Sequence, residues 1–362
     1  MRNAQQWSAH EQRLATRPFH AREFITRNSG ASMSADSPRA HSTPANSFAE
    51  DALLAHIRTT VAGAEHVLVG PGDDMAMIQV GNQQLLAAKD FLVEGRHFLS
   101  TASMAQIGRK AVTRNISDVA AMAAKPVAIL AACVLPRSIT QASAQELVDA
   151  ISRTAAHFGA PLIGGDTCVH VANGPLTISV TVLAQPHEGV KPILRSGARA
   201  GDQLFVTGAL GGSLAKDGGG HHFTFEPRLE EAHALARLLG DDLHAMMDLS
   251  DGLARDGARF AQASALQAVI IAEQLPCTPA CVQAHTHANA WRGALGDGED
   301  YELLFAVAAG VHVPATIGPH NTPLTCIGSL QALPSPNDIA LVCLHNHQSV
   351  DVSKLGHWHD SI

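Results

Sequence analysis

The stretch Asp248-Leu249-Ser250-Asp251-Gly252 places two carboxylates three residues apart, directly after the apolar run Ala245-Met246-Met247. This pattern predicts a strand that runs into an acidic turn. In an open α/β sheet the ligand crevice lies at the carboxyl ends of the strands, so acids in such a turn face a ligand rather than bulk water. The stretch therefore predicts an α/β (α+β) fold with a binding site where this strand ends.

The same pattern occurs at three places upstream. The three segments are Gly70-Pro71-Gly72-Asp73-Asp74 after Val67-Leu68-Val69, Asp90 after Leu85-Leu86-Ala87-Ala88, and Gly164-Gly165-Asp166-Thr167 after Leu162-Ile163. A single Asp-Gly turn is ordinary, because turns prefer these two residue types. Several acidic turns that each follow an apolar run instead favour a site built from many carboxylates.

The composition excludes several classes of partner. The chain has 362 residues, of which 46% are hydrophobic and 16% charged, and this balance fits two α/β domains with buried sheets. The net charge of −8 and the absence of any Lys/Arg run argue against a nucleic acid or an anionic membrane as partner. No apolar run approaches the ~20 residues that span a bilayer.

The cysteines and histidines give no metal motif of a known spacing. The six cysteines are Cys133, Cys168, Cys277, Cys281, Cys326 and Cys343. They lack CxxC spacing and most lie in apolar runs, so we expect reduced core thiols in a reducing, cytoplasmic compartment. The 21 histidines form neither HExxH nor a Cys/His zinc spacing, and we expect most of them at the surface.

Three segments are predicted along the chain. Residues 1–47 are rich in Ser, Ala, Arg and His and lack an apolar period, so we expect a disordered extension. Residues 48–186 alternate strand and helix patterns, and residues 187–362 repeat the mixture. The turn-forming residues at 185–189 mark the boundary between these two predicted domains. A helix over 106–125 would place Asn115 and Asp118 on one face.

Clustered aspartates beside glycines indicate a chemistry based on a hard cation. Magnesium typically bridges one or two carboxylates to substrate phosphates. Phosphoryl transfer fits this arrangement, because its catalysis is mostly positioning and charge neutralisation and needs no covalent nucleophile. The glycine-rich stretch 208–220 is not a P-loop, since it lacks Gly-Lys-Ser/Thr, and it also misses the dinucleotide-binding spacing.

Seven motifs then occur in an order that resembles one enzyme family. They are Gly72-Asp-Asp74, Asp90-Phe-Leu-Val-Glu-Gly-Arg-His-Phe98, Asn115-Ile-Ser-Asp-Val-Ala-Ala-Met122, Gly164-Gly-Asp-Thr167, Arg195-Ser-Gly197, Asp248-Leu-Ser-Asp-Gly252 and Gly298-Glu-Asp-Tyr-Glu-Leu303. Over about residues 65–360 the chain resembles the thiamine-monophosphate kinases, within the aminoimidazole ribonucleotide synthetase-like superfamily.

The resemblance implies a fold, a reaction and a set of site residues. The implied fold has an N-terminal domain that dimerises through its sheet and a C-terminal α/β sandwich, with ATP between them. The implied reaction converts thiamine monophosphate to thiamine diphosphate with ATP and Mg²⁺, in a homodimer. The family's metal aspartates match Asp73, Asp90, Asp118, Asp166, Asp248 and Asp251. Its nucleotide contacts match Gly165, Asp166, Arg195 and Ser250, and its thiamine side matches His97, Gly296, Glu299 and Trp358.

The chain also departs from the family at two positions and in its tail, which reads Gly356-His-Trp-His-Asp360 where Gly-Trp-x-His-Phe is usual. Lys89 stands where a threonine commonly lends an oxygen to a metal, and a lysine ammonium has no acceptor atom. We therefore hypothesise that Lys89 supplies one fixed positive charge in place of a magnesium ion. Asp297 stands where a glycine is usual before the Gly298 motif.

Two alternatives to the kinase reaction stay open from the sequence. One is another ATP-using enzyme of the superfamily, of the selenophosphate or aminoimidazole ribonucleotide synthetase type. No Cys-Gly nucleophile precedes Gly72, which argues against selenophosphate synthetase. The other alternative is a non-catalytic protein that binds nucleotide or thiamine phosphate.

Overall fold

A computed structural model describes residues 50–61, 63–335 and 338–356 of the chain. The described residues from 51 onward belong to one compact unit. The predicted extension at 1–47 lies outside the described residues. The described part of the chain contains two β-sheets, and no helix in it is long and apolar enough to cross a bilayer.

The first sheet has six strands and precedes residue 187. Its strands are β1 (Val67–Val69), β2 (Ala76–Val80), β3 (Gln83–Val93), β4 (Ala124–Leu135), β5 (Leu162–Val169) and β6 (Thr177–Pro186). They lie in the order β1-β2-β3-β6-β4-β5, and only the β4–β5 pair is parallel. Two neighbouring parallel strands are usually joined by a helix, and the helix over Gln141–His157 joins β4 to β5.

Three helices accompany this sheet: α1 (Glu50–Thr60), α2 (Met104–Ala121) and α3 (Gln141–His157). Ser103 begins α2 with a capping box, because its hydroxyl accepts from Gln106 N while the Gln106 side chain accepts from Ser103 N. Thr140 caps α3 through a single hydrogen bond, in which its hydroxyl accepts from Ser143 N. The buried side of α2, with Val112 and Ile116 fully buried, packs on one face of the sheet.

The second sheet has eight strands and follows residue 187. They are β7 (Gln203–Thr207), β8 (Leu243–Asp248), β9 (Leu266–Ile271), β10 (Leu303–Val307), β11 (Thr316–Ile317), β12 (Thr322–Ala332), β13 (Leu341–His345) and β14 (Gln348–Val350). Their order is β14-β13-β9-β12-β7-β10-β8, with β11 paired to β12. The helices of this half are α4 (Leu229–Leu239), α5 (Leu253–Ala263), α6 (Pro279–His285) and α7 (Ala290–Gly296).

Helix α2 is shared by the two sheets. Its apolar side chains belong to the same buried cluster as Met246 of β8 and Phe305 of β10. The neighbouring residues of β8, Ala245 and Met247, point the other way into a second cluster with α5 and α7. The alternation along β8 thus separates two cores, and it leaves Asp248 at the strand's end beside α2.

The predicted α/β architecture is confirmed, but two of the four predicted acidic turns are wrong. The turns after β1 and β8 exist as predicted. Asp90, however, lies inside β3 and pairs with Val180, and the segment 164–167 lies inside β5, paired with β4. Long-range strand pairing outweighs the local turn preference of Asp and Gly at these two places.

The predicted ends of helix 106–125 also change. The helix ends at Ala121, Ala123 takes a φ of 48°, and β4 begins at Ala124. The predicted domain boundary at 185–189 falls between the two sheets, since β6 ends at Pro186 and β7 begins at Gln203. The division into domains at that point stays a prediction.

Candidate active site

Three carboxylates from distant parts of the sequence meet beside α2. Asp74 lies in the turn after β1, Asp118 in the last turn of α2, and Asp248 at the end of β8. One oxygen from each lies within 4.8 Å of the others. Sequence reasoning assigned Asp73 of the Gly72 motif to this set, whereas the structure brings in its neighbour Asp74.

The group, called here the carboxylate cluster, keeps a surplus of negative charge although the Arg195 guanidinium pairs with Asp74. Burial, and then the charges of Asp90, Asp248 and Asp74, raise the pKa of Asp118 well above its usual value. Burial and Asp74 likewise raise the pKa of Asp248, although the Ser117 hydroxyl donates to Asp248 Oδ2 at 2.6 Å. Like charges held this close favour either a shared proton or a bound cation.

The donor set fits magnesium. All three side chains offer carboxylate oxygens, which are the ligands that hard cations prefer. Asp90, a fourth predicted ligand, lies close enough to raise the pKa of Asp118 but pairs with Arg114, with Nε 3.3 Å from Oδ2. Its role as a metal ligand stays a prediction.

A cleft lined by arginines opens beside the carboxylate cluster. It has a volume of about 320 Å³ and is lined by Arg58, Arg195, Arg259 and the loop around Asp73. The Arg195 backbone N–H donates to Asp73 Oδ2 at 3.1 Å, and the Arg195 guanidinium pairs with Asp74. Guanidinium groups suit phosphate oxygens, so this cleft can hold a polyphosphate next to the carboxylates. Arg58, in the last turn of α1, carries no motif and was missed.

The turn that carries Ser250 and Asp251 is held by a residue that sequence reasoning missed. Asp256 Oδ2 accepts from Ser250 N at 3.0 Å and from Asp251 N at 2.8 Å. Burial and then the Asp251 charge raise the pKa of Asp256 to about 7. The Asp251 carboxylate itself pairs with Arg259 at 2.6 Å, so in this structure it stands apart from the carboxylate cluster. Gly252 takes a φ of 97°, which suits glycine.

The segment 298–303 packs behind this turn. Leu249 N donates to Glu302 O, Tyr301 N to Leu249 O, and Glu299 N to Ser250 O, at 2.7 to 2.8 Å. Glu299 and Tyr301 both have positive φ, 58° and 53°, which is uncommon outside glycine. The Asp248 motif and the Gly298 motif are therefore joined by their backbones.

A second group of buried polar residues, called here the ion-paired cluster, consists of His97, Lys110, His222 and Glu299. Lys110 pairs with Glu299, and its Nζ lies 2.6 Å from His222 Nδ1 and 2.7 Å from the His97 carbonyl. Burial alone would raise the pKa of Glu299, but Lys110 holds it well below its usual range. Burial lowers the pKa of Lys110 to about 8 and that of His97 to about 3. The structure thus joins the predicted substrate residues His97 and Glu299 through Lys110, which sequence reasoning missed.

The remaining predicted residues lie elsewhere. A Cβ on Gly296 would lie 3.2 Å from Gly356 N, so Gly296 packs on the segment that leads to Trp358, which lies outside the described residues. Gly165 and Asp166 lie on the edge strand β5, and Asp166 is exposed. Three strand spacings separate β5 from β3, roughly 14 Å, so one chain does not bring Asp166 to the carboxylate cluster.

The hypothesis that Lys89 replaces a magnesium ion is wrong. Asp90 points toward α2, and because side chains alternate along β3, its neighbour Lys89 lies on the opposite, exposed face. The Lys89 ammonium lies 5.8 Å from the centre of the Phe91 ring on that face. It therefore cannot enter the carboxylate cluster without turning the strand over.

Comparison with known proteins places this geometry in a family. A thiamine-monophosphate kinase of Rhodopirellula baltica is 37% identical over 270 residues, which cover 72% of this chain and 82% of the relative. The chain belongs to the thiamine-monophosphate kinase family. The Salmonella typhimurium member is 33% identical over 287 residues, covering 74% and 85% of the two chains. Residues 72–185 match the model of the AIR synthase related protein N-terminal domain.

Solved structures of this kinase family share the fold. The structure described as AaThiL complexed with AMPPCP and TMP aligns with a TM-score of 0.70 at 25% identity, over 85% of this chain and 96% of that one. The Stenotrophomonas maltophilia thiamine-monophosphate kinase aligns with a TM-score of 0.60 at 28% identity, over 82% and 96%. The two-sheet architecture of this chain is thus the architecture of the thiamine-monophosphate kinases.

Proposed function

We propose that this protein transfers the γ-phosphoryl group of ATP to thiamine monophosphate and so makes thiamine diphosphate. The observation that carries the proposal is the carboxylate cluster beside an arginine-lined cleft, in a chain of the thiamine-monophosphate kinase family. A relative of this fold was solved with AMPPCP and TMP together. Both reactants are polyanions, and the site supplies the means to hold both.

The residues of this chain divide the work of positioning. Arg58 and Arg195 line the cleft and would hold phosphate oxygens, while Asp74, Asp118 and Asp248 would hold magnesium. Bound magnesium neutralises charge on the transferring phosphoryl group. Ser117 orients the Asp248 carboxylate through its hydrogen bond. No general base is needed, because the acceptor phosphate is already anionic at neutral pH.

The experiment that tests this function is direct. The full chain is incubated with ATP, Mg²⁺ and thiamine monophosphate, and the products are separated by chromatography. We expect thiamine diphosphate and ADP in equal amounts. ADP without thiamine diphosphate would favour another ATP-using enzyme of the superfamily, and binding of both ligands without turnover would favour a non-catalytic protein.

We further propose that two copies of the chain pair through the open face of the first sheet. Phe91, Leu130 and Ile163 on β3, β4 and β5 are 56%, 38% and 60% exposed, which is high for large apolar side chains on a sheet. A contiguous exposed apolar face favours an interface. Light scattering should give twice the chain mass, and Leu130→Lys should reduce it to one chain. Leu238→Lys, at a 56% exposed position on α4, is the matched control and should leave the dimer intact.

The reducing cytoplasm is the compartment that we propose. All six cysteines are free, and two of them, Cys281 and Cys343, are fully buried. Their persistence as thiols suits a reducing environment.

A further inference from the structure

A cysteine, a histidine and an aspartate meet in the second half of the chain, away from the carboxylate cluster. Cys281 Sγ, one nitrogen of His285 and one carboxylate oxygen of Asp297 all lie within 4.8 Å of one another. His285 Nε2 lies 2.9 Å from Asp297 Oδ1. The Cys281 thiol donates to the Ala290 carbonyl at 3.2 Å in this structure, and a bound metal would take the place of that thiol proton.

Local structure explains why these side chains converge. Cys281 and His285 lie four residues apart in α6, so they share one face of the helix. Thr278 begins α6 by accepting from Cys281 N, and Cys277 directly precedes this cap. Asp297 follows α7, and its Oδ2 accepts from Gly212 N at 2.8 Å, which fixes the direction of the carboxylate.

Glycines keep the space between the three ligand atoms open. A Cβ on Gly293 would lie 2.6 Å from Cys281 Sγ and 2.7 Å from His285 Nε2, and one on Gly211 would lie 2.6 Å from the same sulfur. Gly293 lies inside α7, where glycine costs helix stability relative to alanine. Any larger residue at Gly293 would fill the point on which sulfur and nitrogen converge.

We propose that Cys281, His285 and Asp297, with a water molecule as the fourth ligand, form a binding site for a zinc-class transition-metal ion. Thiolate, imidazole and carboxylate together form a set typical of tetrahedral zinc. Magnesium prefers oxygen ligands alone, so this site and the carboxylate cluster select different metals. The His285 and Asp297 side chains are 35% and 22% exposed, which gives an ion access, while the Cys281 sulfur lies beneath them.

The ion would act on structure rather than on phosphoryl transfer. Asp297 is followed by Gly298 and Glu299, and Asp300 accepts from Gly211 N and from the Ser213 hydroxyl, both at 2.8 Å. A metal at this site would join α6 to Asp297 after α7, and Asp297 already accepts from Gly212 N of the glycine-rich loop at 208–220. Binding would then fasten the loop to the segment that backs the Asp248 turn. This inference stands whether or not the proposed kinase activity is found.

Cobalt is the probe that tests the site, because a thiolate bound to Co²⁺ gives a sulfur-to-metal charge-transfer band in the near ultraviolet. The full chain is reduced, stripped of metal and titrated with Co²⁺ in excess Mg²⁺, which occupies the carboxylate cluster. We expect a saturable band that Zn²⁺ abolishes by displacement. Zn²⁺ should also raise the midpoint of thermal unfolding. A parent protein without the band at saturating Co²⁺ would overturn the proposal.

Variants assign the band to these residues. Cys281→Ser should abolish it, and His285→Gln and Asp297→Asn should each weaken Co²⁺ affinity by roughly 100-fold, since even outer-shell partners are worth 10- to 100-fold. His287→Gln, at an exposed histidine two residues beyond α6, is the matched control and should change nothing. If Cys281→Ser does not fold, the two partly exposed ligands still decide the outcome. Unchanged affinity in both His285→Gln and Asp297→Asn refutes the site.

Discussion

The carboxylate cluster and the ion-paired cluster lie along one stripe of α2, yet their charges are arranged in opposite ways. Lys110, Arg114 and Asp118 follow one another at intervals of four residues on this helix. At one end Lys110 meets Glu299, and opposite charges compensate. At the other end, about 12 Å along the axis, Asp118 meets two further aspartates and the charges repel.

The difference indicates which cluster needs a ligand. Lys110 lowers the pKa of Glu299, so that pair is complete inside the chain. The pKa values of Asp118 and Asp248 are raised, because burial and neighbouring carboxylates both disfavour ionisation. A bound cation would favour the ionised forms of Asp118 and Asp248. The Lys110–Glu299 pair already contains both charges and gains nothing from a further cation. Four variants or conditions test this contrast.

Breaking the ion-paired cluster should produce the largest effect. Lys110→Met removes the cation that pairs directly with the buried Glu299 carboxylate and leaves only His222 and the more distant Arg114, which should lower the free energy of unfolding by about 3–5 kcal/mol. Urea unfolding measures this loss. The double variant Lys110→Met/Glu299→Gln should regain much of it, because it removes both charges. Lys191→Met, at an exposed lysine, is the control. Equal stabilities of parent and Lys110→Met would show that the pair is not compensating.

Removing one charge from the carboxylate cluster should act on turnover instead. Asp118→Asn and Asp248→Asn should each lower kcat by roughly 100-fold, because a weakened metal stabilises the transition state less. Metal-free stability should stay the same or rise, since like-charge repulsion is relieved. Steady-state kinetics and thermal unfolding in EDTA measure the two quantities. Asp241→Asn is the exposed control, and near-normal kcat in Asp118→Asn would contradict the cluster's role.

Stabilisation by Mg²⁺ should depend on pH. Burial and then Asp74 raise the pKa of Asp73 to about 6, and the pKa values of Asp118 and Asp248 are also raised. An acid whose pKa is raised by folding contributes stability that is fully present below its pKa in the unfolded chain. That contribution is lost as the pH rises through its pKa in the folded chain. Magnesium binds the deprotonated acids and offsets this loss.

The difference in urea midpoint between Mg²⁺ and EDTA should therefore grow as pH rises from about 5 to about 8. Taking this difference cancels the opposite slope from His97, whose pKa burial lowers to about 3. In Asp118→Asn the urea midpoint should be the same in Mg²⁺ and in EDTA. A difference that stays constant with pH in the parent would mean that magnesium does not bind titrating carboxylates.

Lys89→Thr should have the smallest effect. The Lys89 ammonium lies on the exposed face of β3 beside Phe91, so the carboxylate cluster does not sense its charge. Titrations of activity with Mg²⁺ at fixed ATP should superimpose for parent and variant. A steeper Mg²⁺ dependence in the variant would show that Lys89 does supply charge to the cluster.

Local patterns predicted the parts of the site that depend on short segments. The apolar runs before Gly70 and Asp248 are strands; the turn after β1 carries Asp74, and Asp248 is the last residue of β8. Helix periodicity placed Asp118 on the same face of α2 as Asn115. The order of the motifs indicated the thiamine-monophosphate kinase family, which the relatives confirm. These inferences succeed because turn chemistry and helix periodicity are properties of neighbouring residues.

Distant pairing decided the rest. Asp90 and the segment 164–167, which were predicted in turns, lie in β3 and β5 because these strands pair with β6 and β4. The choice of Asp74 over Asp73, the pairing of Lys110 with Glu299, and the meeting of Cys281 with Asp297 join residues that no local pattern relates.

The sequence by itself determined most of the strand and helix segments and which family the chain resembles. Only the tertiary structure decided which charges neutralise one another and which are left for a cation. The physical reason is that Coulomb energy depends on distance and burial, and packing sets both after the chain has folded.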